Sequence, residues 1–537
     1  MRNQTPSGNM NPSLEPRASS APATLKCVLA GGLLALAYPP LPLGFLVWGT
    51  LAFALQAIGF GGQGAPPSWR TILWRGWIFG AVLHGGTLYW TAWVSAPGMA
   101  TMVVILGLYV ALVFVMTGAL MRRFGHRALW LFPLIWTAHE YLRGVGTLAF
   151  PWTNLSLTQV KYPMLIQYAD VTGDLGMSFL IVLVNVFILD AAGRLAAPRH
   201  RPVGVHVTVI VLAFILPYLY GRGAVTRLAD DTAVRVAVLQ GDIDSFRKWD
   251  EDFVDRSLAV YETQTRAAAA RGAELIVWPE TAIPMYLRAE PQYRRVLQSL
   301  SAELSVSLLV GTLEYDRLPE EHYVRYNAAV ALDDGTYQQD YHAKLQLVPL
   351  GEMIPFADRF RFLDRLDVGG AHFTAGERRV LFEHPKGPYA AVICYESAFP
   401  DIMRRFAAAG ARFFVNITND GWYGFSSGPG QHAALATFRA IETRRPIARS
   451  ANTGISGFFD RAGRFHEQTL QYVPDVRLFD LPLGSANQKT FFVRNGMYVG
   501  KICVLATIVA LLSGVVVDLT RRWRTDNGAD PPVHGRA

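Results

Sequence analysis

Long apolar runs separated by short polar loops fill the first 220 residues of the chain, and one more such run lies near its end. A helix that crosses a bilayer needs about 20 predominantly apolar residues. The runs predict about eight membrane-spanning helices, near residues 25–38, 41–60, 76–95, 100–121, 128–142, 176–193, 204–220 and 497–518. The first and fifth are the weakest, since both are short and Pro133, His139 and Glu140 interrupt the fifth. One such run could be a core helix of a soluble protein, but eight together indicate a multi-pass α-helical membrane domain.

Composition supports this interpretation. The chain has 537 residues, of which 51% are hydrophobic and only 17% are charged, whereas an ordinary soluble protein has about 25% charged residues. These values exclude a disordered or collagen-like protein and disfavour a wholly soluble enzyme. The net charge of +8 would fit a nucleic-acid partner, but the basic residues lie at the ends of the apolar runs. We therefore expect a membrane partner and no nucleic acid.

The distribution of basic residues predicts the orientation, because cytoplasmic loops of membrane proteins are enriched in Lys and Arg. Fifteen basic residues lie in the tails and loops on one side of the predicted spans, and the opposite short loops contain only Arg143 and Lys161. Both termini are thus expected in the cytoplasm, and the segment between the seventh and eighth spans outside it. A cleavable signal peptide over residues 1–40 is the alternative. A long Ser/Pro/Ala-rich tail and a second apolar run directly after Pro39 and Pro40 favour a helical hairpin instead.

These patterns divide the chain into five segments. We expect a disordered cytoplasmic tail (residues 1–24) followed by a seven-span membrane domain (25–222). An extracytoplasmic domain (223–490), a final span (491–518) and a second cytoplasmic tail (519–537) complete the chain.

The extracytoplasmic segment has a different pattern, in which short apolar runs alternate with helical periodicity. Strands are predicted at residues 234–240, 274–278, 307–311, 390–394 and 412–418, and a helix at 251–271. Buried strands that alternate with helices are typical of an α/β domain.

A single cysteine lies in this domain. Cys27 and Cys503 fall within predicted spans, which leaves Cys394 at the end of an apolar strand. Proteins that face an oxidising compartment normally pair their cysteines. A lone thiol at a strand end is therefore a candidate nucleophile, although it could also be a small buried hydrophobic residue.

Other chemically useful residues also follow predicted strands. Glu280 follows the strand that ends at Trp278, and Lys344 is followed closely by Glu352. Because sites in α/β sheets form at the carboxyl ends of strands, we expect Glu280, Lys344 and Cys394 to converge on one edge of a sheet.

With an acid, a lysine and a cysteine in this order, the sequence resembles the nitrilase, or carbon–nitrogen hydrolase, superfamily. That resemblance implies an α-β-β-α sandwich in which Glu280, Lys344 and Cys394 form a catalytic triad. A nitrilase-like domain before the last of eight spans resembles the bacterial apolipoprotein N-acyltransferase family. Further segments similar to that family are residues 150–152, 240–243, 248–249, 428–432 and 449–455.

The resemblance implies an N-acyltransferase of the bacterial inner membrane with its catalytic domain on the periplasmic side. A phospholipid would donate its sn-1 acyl chain to Cys394 as a thioester, and the amine of a diacylglyceryl-cysteine lipoprotein would accept the chain. Glu280 would be the base, and Lys344 with the N–H of Tyr395 would stabilise the oxyanion. We expect a monomer without a cofactor. We also expect no metal, since neither His342 nor His432 belongs to a pair with zinc-ligand spacing.

Five more residues are candidates with alternative roles. Glu352 could hold Lys344 and assist proton transfer, and Glu396 could orient the loop that follows Cys394. Either residue could instead form a structural ion pair. Trp249, Phe360 and Trp422 could line a lipid entrance, or could pack in the core. Phe360 belongs to a segment with apolar residues at helical spacing and several arginines, typical of an interfacial helix.

Two other functions fit parts of the pattern. A membrane-tethered amidase or nitrilase would use the same triad with water as the acceptor. A transporter or scaffold with an inactive domain would place paired polar residues inside the spans, and the sequence offers few of these.

Overall fold

The computed structural model describes residues 21–62, 64–197, 201–228, 232–245, 247–249, 251–319, 323–356, 359, 373–485 and 487–526. The first part of the chain is helical: α1 (Ala21–Leu36), α2 (Val47–Ile58), α3 (Trp69–Leu88), α4 (Ala96–Phe124), α5 (Phe132–Arg143), α6 (Ala169–Thr172), α7 (Asp174–Leu195) and α8 (Gly204–Thr226).

Strands and helices then alternate. The strands are β1 (Ala233–Gln240), β2 (Leu275–Val277), β3 (Ser307–Arg317), β4 (Tyr323–Asp333), β5 (Thr336–Ala343), β6 (Tyr389–Ile393), β7 (Phe413–Thr418), β8 (Ile447–Ala451), β9 (Gly457–Phe459), β10 (Phe465–His466) and β11 (Asp475–Pro482). The helices are α9 (Glu251–Ala270), α10 (Pro291–Leu304), α11 (Pro400–Ala409), α12 (Gly428–Thr443), α13 (Phe491–Asn495) and α14 (Tyr498–Asp526).

Within the described residues the strands form two sheets, with the orders β11-β1-β2-β3-β4-β5 and β10-β9-β8-β7-β6. The strands β1, β2 and β3 are parallel, and so are β6, β7 and β8. Val236 and Val238 on one sheet share an apolar core with Val415 and Ile417 on the other. The two sheets therefore pack face to face.

The outer face of each sheet is covered by helices. Ala237 and Ile276 share a second core with residues of α9 and α10, such as Leu297. Val392 and Phe414 share a third with residues of α11 and α12. Alternate residues of one strand thus enter different cores, as the period of two in a strand requires. The result is the α-β-β-α sandwich that the sequence resemblance implies.

Helices occur at each predicted membrane span, but they differ in length and polarity. Among the described residues, α4, α7, α8 and the Tyr498–Arg524 part of α14 are long and apolar enough to cross a membrane. The helices α1, α2 and α5 have only 16, 12 and 12 residues, and α3 begins at Trp69 rather than near residue 76. The eight-span count therefore stays a prediction.

Two predicted boundaries differ from the structure. Helix α1 begins at Ala21, inside the predicted tail, because its first turn continues the helical pattern of residues 25–36. Helix α14 continues through Asp526, well past residue 518. Its last turns contain Arg521, Arg522 and Arg524, which are good helix formers that remain in solvent. The expected tails otherwise lie outside the described residues.

Candidate active site

The carboxylate of Glu280 projects from a tight turn directly after β2. Thr281 has a φ of 46°, in the left-handed region that β-branched residues rarely adopt. Gly311 on the neighbouring strand β3 makes this turn possible, since a Cβ there would lie 2.7 Å from the Glu280 Cα. The turn can therefore lie directly against β3, and the Glu280 residue is only 6% exposed.

The ammonium of Lys344, at the end of β5, lies between two carboxylates. Its Nζ is 3.2 Å from Glu280 Oε1 and 2.8 Å from Glu352 Oε1. Asn327 on β4 contacts the same two oxygens, because its Nδ2 donates to Glu280 at 2.7 Å and to Glu352 at 3.0 Å. The main-chain N–H of Asn419 donates to the other oxygen of Glu280 at 2.8 Å. Both oxygens of Glu280 are thus held by hydrogen bonds.

These contacts determine which groups are charged. Burial works to raise the pKa of the Glu280 carboxyl, but the charge of Lys344 and the hydrogen bond from Asn327 hold that pKa below its usual value. Burial also opposes the charge of Lys344, yet Glu280 and Glu352 keep its pKa well above the usual value. At neutral pH the site therefore combines an ionised carboxylate with a fixed positive charge.

Cys394 begins the turn after β6, with a φ of 50° and 6% exposure. Burial raises the pKa of this thiol, and the Glu280 carboxylate raises it further, while Lys344 acts in the opposite direction. The resting cysteine is thus a neutral thiol. Since the thiolate is the nucleophilic form, a reaction at this sulfur needs a base.

Glu396 connects the main chain around Cys394 to that around Lys344. Its Oε2 accepts from the N–H of Ile393 and its Oε1 from the N–H of Leu345, both at 2.6 Å. It is fully buried, and His342 Nε2 lies 3.4 Å from Oε2. Its hydrogen bonds therefore restrain the separation of the thiol and the lysine.

A buried polar cluster that the sequence pattern did not reveal supports the turn that begins at Cys394. His432 Nε2 lies 3.1 Å from the Cys394 carbonyl oxygen, and Nδ1 lies 2.8 Å from Asp420 Oδ1. Arg449 donates to Asp420 Oδ2 at 2.8 Å. Despite burial, Arg449 and His432 hold the pKa of Asp420 down at about 2. The cluster is therefore a charged, fully buried support for the turn.

Lys248 is a second buried lysine beside the Glu280 turn. Its Nζ donates to the carbonyl oxygens of Thr281 at 3.3 Å and Glu280 at 3.5 Å, and also to the Thr281 hydroxyl. Burial lowers the pKa of Lys248 to about 8, although Glu280 and Cys394 oppose that shift. In the sequence, Lys248 stands beside Trp249 in a segment similar to the family, and nothing marks Asn327, because neither residue belongs to a triad motif.

The predicted entrance residues occupy different settings. Trp249 is 41% exposed, with its ring 5.4 Å from the Lys248 ammonium. Trp422 is 37% exposed, in a loop whose Phe425 is 83% exposed. Neither tryptophan is a core residue. Phe360 lies outside the described residues.

Tyr395 directs its side chain toward the membrane domain. Its hydroxyl donates to the Ala149 carbonyl at 2.8 Å, and its ring stacks 6.2 Å from that of Trp152. Close by, Gln431 Oε1 accepts from Trp90 at 3.1 Å and from Trp152 at 3.0 Å. The cysteine turn is thus in direct contact with the loops of the membrane domain.

Paired polar groups beside the ends of the membrane helices also link the two domains. Arg143, at the end of α5, donates to Asn154 at 2.7 Å, and Asn154 donates to Asp174 at 3.1 Å. The Asp174 N–H donates to Glu442 on α12 at 2.9 Å. The contact between Asp174 and Glu442 joins residues 268 positions apart, and no local sequence signal indicates it.

In the described part of the chain, no group of three or more His, Cys, Asp or Glu residues could hold a metal ion.

Two family models match the chain, one over each domain. Residues 30–187 match the family model of the apolipoprotein N-acyltransferase N-terminal domain, and residues 235–486 match that of the carbon–nitrogen hydrolases. The chain is also similar to a solved amidase from Nesterenkonia sp., with 19% identity over 50% of this chain and 99% of the amidase and a TM-score of 0.36.

Curated relatives extend the similarity across both domains. An apolipoprotein N-acyltransferase from Geobacter metallireducens is 34% identical over 91% of this chain and 95% of its own length. Another from Chlorobaculum tepidum is 31% identical over 91% of this chain and 96% of its own length. By this coverage and identity, the chain belongs to the apolipoprotein N-acyltransferase family.

Proposed function

We propose that the protein transfers the sn-1 acyl chain of a phospholipid, through a thioester on Cys394, to the N-terminal amine of a diacylglyceryl-cysteine lipoprotein. Family membership and the names of the relatives support N-acylation of lipoproteins. The observation that carries the finer assignment is the buried network in which Lys344 lies 3.2 Å from Glu280. The charges of both residues act on the Cys394 thiol.

In the first half-reaction Glu280 accepts the thiol proton, and the Cys394 sulfur attacks the ester carbonyl carbon of the phospholipid. Lys344 and the N–H of Tyr395 stabilise the oxyanion that forms. The ester C–O bond then breaks, and the proton returns from Glu280 to the oxygen of the departing lysophospholipid. Removing a single oxyanion donor typically costs about 10²–10³ in rate.

In the second half-reaction the lipoprotein amine attacks the thioester carbonyl. Glu280 accepts a proton from the amine, the C–S bond breaks, and the cysteine sulfur leaves and is reprotonated. Glu280 is suited to both steps because its lowered pKa leaves it ionised before each one. Glu352 holds Lys344 at 2.8 Å and keeps the ammonium charged.

The surroundings of Cys394 support a lipid rather than a water-soluble donor. The neighbouring Tyr395 contacts Ala149 and Trp152 of the membrane domain, so an acyl chain at the sulfur has an apolar boundary close by. We propose a site in the bacterial inner membrane that opens toward the bilayer, with the catalytic domain on the periplasmic side and both termini in the cytoplasm. The protein would act as a monomer with a phospholipid donor and a lipoprotein acceptor.

Mass spectrometry of the full-length protein after incubation with phospholipid vesicles tests this proposal. We expect a mass increase of one acyl chain on the Cys394 peptide, reversed by hydroxylamine and by addition of a diacylated lipopeptide. Acylation of another residue, or release of free fatty acid without transfer to the peptide amine, would contradict the proposal, and the second result would favour a hydrolase.

A further inference from the structure

A basic cavity lies at the opposite end of the catalytic domain from Cys394. Its volume is about 240 Å³, and its charged lining consists of Arg227, Arg444, Arg445, Arg461 and Lys489. Arg444 and Arg445 precede the amino end of β8, whereas Cys394 follows the carboxyl end of β6 in the same parallel array. The cavity is therefore separate from the candidate active site.

Positive charge in this cavity exceeds the negative charge that the described residues supply. Asp170 pairs with Arg444 at 2.6 Å. Arg445 is 1% exposed, and its described hydrogen bonds all go to main-chain carbonyls, among them Ala411 at 2.8 Å and Gln488 at 3.0 Å. These bonds orient the guanidinium, and none of the described carboxylates forms an ion pair with it.

Crowding of like charges is visible at Arg445 itself. Burial, together with the nearby charges of Arg461 and Arg412, lowers the pKa of Arg445 to about 10. An anion bound in the cavity would relieve this repulsion. Guanidinium groups are well suited to phosphate, since they donate two parallel hydrogen bonds to its oxygens.

The position of the cavity indicates the source of that phosphate. Arg227 directly follows α8, which is long and apolar enough to cross a membrane. One face of α8 exposes Val211, Ile215 and Leu219, by 46%, 45% and 56%. Acyl chains that lie along this face would bring a lipid phosphate to the level of Arg227.

We propose that this cavity binds the head group of an anionic phospholipid, which is held as a bound lipid rather than consumed as the acyl donor. The phosphodiester lies beside the exposed Arg227 and Lys489, the buried Arg445 contributes its charge only, and the acyl chains lie along α8. Because Arg444 also bonds to Gln167 at 2.6 Å, the lipid would stabilise the contact between the membrane and catalytic domains. Basic pockets beside membrane helices bind lipid head groups in this way.

Native mass spectrometry of the full-length protein, released from nanodiscs of phosphatidylcholine with one-fifth phosphatidylglycerol, tests the proposal. Arg227→Gln combined with Lys489→Gln removes two exposed charges of the cavity. The matched control, Arg256→Gln combined with Arg295→Gln, removes two exposed charges from α9 and α10. Basic residues near a membrane surface attract anionic lipid, so we expect at least about tenfold less retained phosphatidylglycerol for the cavity variant and no change for the control.

Two further measurements make the result decisive. Acylation of Cys394 from phosphatidylcholine should be unchanged in the cavity variant, since the cavity lies away from the thiol. Inorganic phosphate added to lipid-free detergent micelles should give far less thermal stabilisation than phosphatidylglycerol. The proposal would be overturned if the cavity variant retained as much phosphatidylglycerol as the parent, or if the cavity and control variants lost it equally. It would also be overturned if inorganic phosphate stabilised the protein as much as phosphatidylglycerol does.

Discussion

The ammonium of Lys344 lies 3.2 Å from the carboxylate of Glu280, although the two residues are 64 positions apart in the sequence. The ion pair keeps the Glu280 carboxylate charged, with its pKa below the usual value. The same lysine lies 2.8 Å from Glu352, and the two carboxylates together keep the ammonium charged. Glu280 thus keeps a fixed cation beside it for the oxyanion while it remains able to accept a proton.

The first prediction concerns the nucleophile. Cys394→Ala should abolish formation of the acyl-enzyme and all transfer to a lipopeptide amine, because no other thiol lies in the catalytic domain. The matched control replaces Cys27 and Cys503 together, both of which lie in helices of the membrane domain. It should retain most activity in a radiolabelled phospholipid assay. Appreciable turnover by Cys394→Ala would refute the thioester mechanism.

The second prediction distinguishes the role of Glu280, the proposed base, from that of Glu352, which contacts Lys344. Glu280→Gln should slow thioester formation by about 10²–10⁴, the usual cost of removing a general base. Glu352→Gln leaves that base in place but removes one partner of Lys344, so a smaller loss is expected. Single-turnover acylation measured by quenched flow compares the two. If Glu352→Gln proved the slower variant, Glu352 rather than Glu280 would be the base.

The sequence predicted the residues that lie at strand ends better than the residues that support them. Cys394 and Glu280 could be identified because each follows an apolar run, and Lys344 because of the resemblance to the family. The expected convergence on one edge of a single sheet was wrong: Glu280 and Lys344 follow β2 and β5 of one sheet, whereas Cys394 follows β6 of the other, so the site forms where the two packed sheets meet. Asn327 lies inside β4 and bridges Glu280 and Glu352, but an asparagine within a strand has no local signal. Its role depends on a partner strand whose register the sequence does not specify.

The membrane domain shows the same limit. The long apolar runs predicted α4, α7, α8 and α14 well, because length and hydropathy are local properties. The polar contacts from Arg143 through Asn154 and Asp174 to Glu442 could not be predicted. The last of these contacts joins residues 268 positions apart and depends on how the two domains pack.

The third prediction concerns Lys248, whose pKa is lowered to about 8. Below that pH its ammonium binds the Glu280 and Thr281 carbonyls, and above it the charge is lost, so acylation by the parent protein should decline above about pH 8. Lys248→Met should be at least tenfold slower at pH 7, because a hydrogen bond to a charged group contributes about 1.5–3 kcal/mol. It should also lack the alkaline decline between pH 7 and 9.

Lys386→Met is the matched control for this experiment, since Lys386 binds Glu274 at 2.7 Å, away from the thiol. It should keep both the rate and the pH profile of the parent. Identical profiles for the parent and Lys248→Met, apart from a scale factor, would show that another group causes the alkaline decline.

The fourth prediction concerns topology. Alkaline phosphatase, which is active only outside the cytoplasm, should be active when fused after Leu228 and inactive when fused after Arg201 or Ala537. The expectation follows from the excess of Lys and Arg in the predicted cytoplasmic loops. Activity of the Ala537 fusion would mean that the number of spans is odd, and the 12-residue helix α5 would be the first to reassign.

The fifth prediction concerns the entry of lipid. The loop that contains Trp422 and Phe425 extends from the catalytic domain to the membrane domain, where Tyr423 packs 4.5 Å from the ring of Trp90. Gly424 has a φ of 59°, and a Cβ there would lie 2.9 Å from Trp93. The loop is therefore held closely at its centre, while Phe425, at 83% exposure, is free to enter the bilayer interface.

Phe425→Asp or Trp422→Asp should slow acylation from phospholipid vesicles by about tenfold or more, because a charge in the apolar interface opposes insertion of the loop. Reaction of Cys394 with iodoacetamide should be unchanged, since neither residue lies in the Glu280–Lys344 network. Tyr472→Asp, which alters a ring 6.4 Å from Phe425 without changing the loop itself, gives a comparison at the same surface. If the Phe425 and Trp422 variants were acylated from vesicles as fast as the parent, lipid would reach the thiol by another route. Loss of iodoacetamide reactivity would instead show that the substitutions had disturbed the thiol.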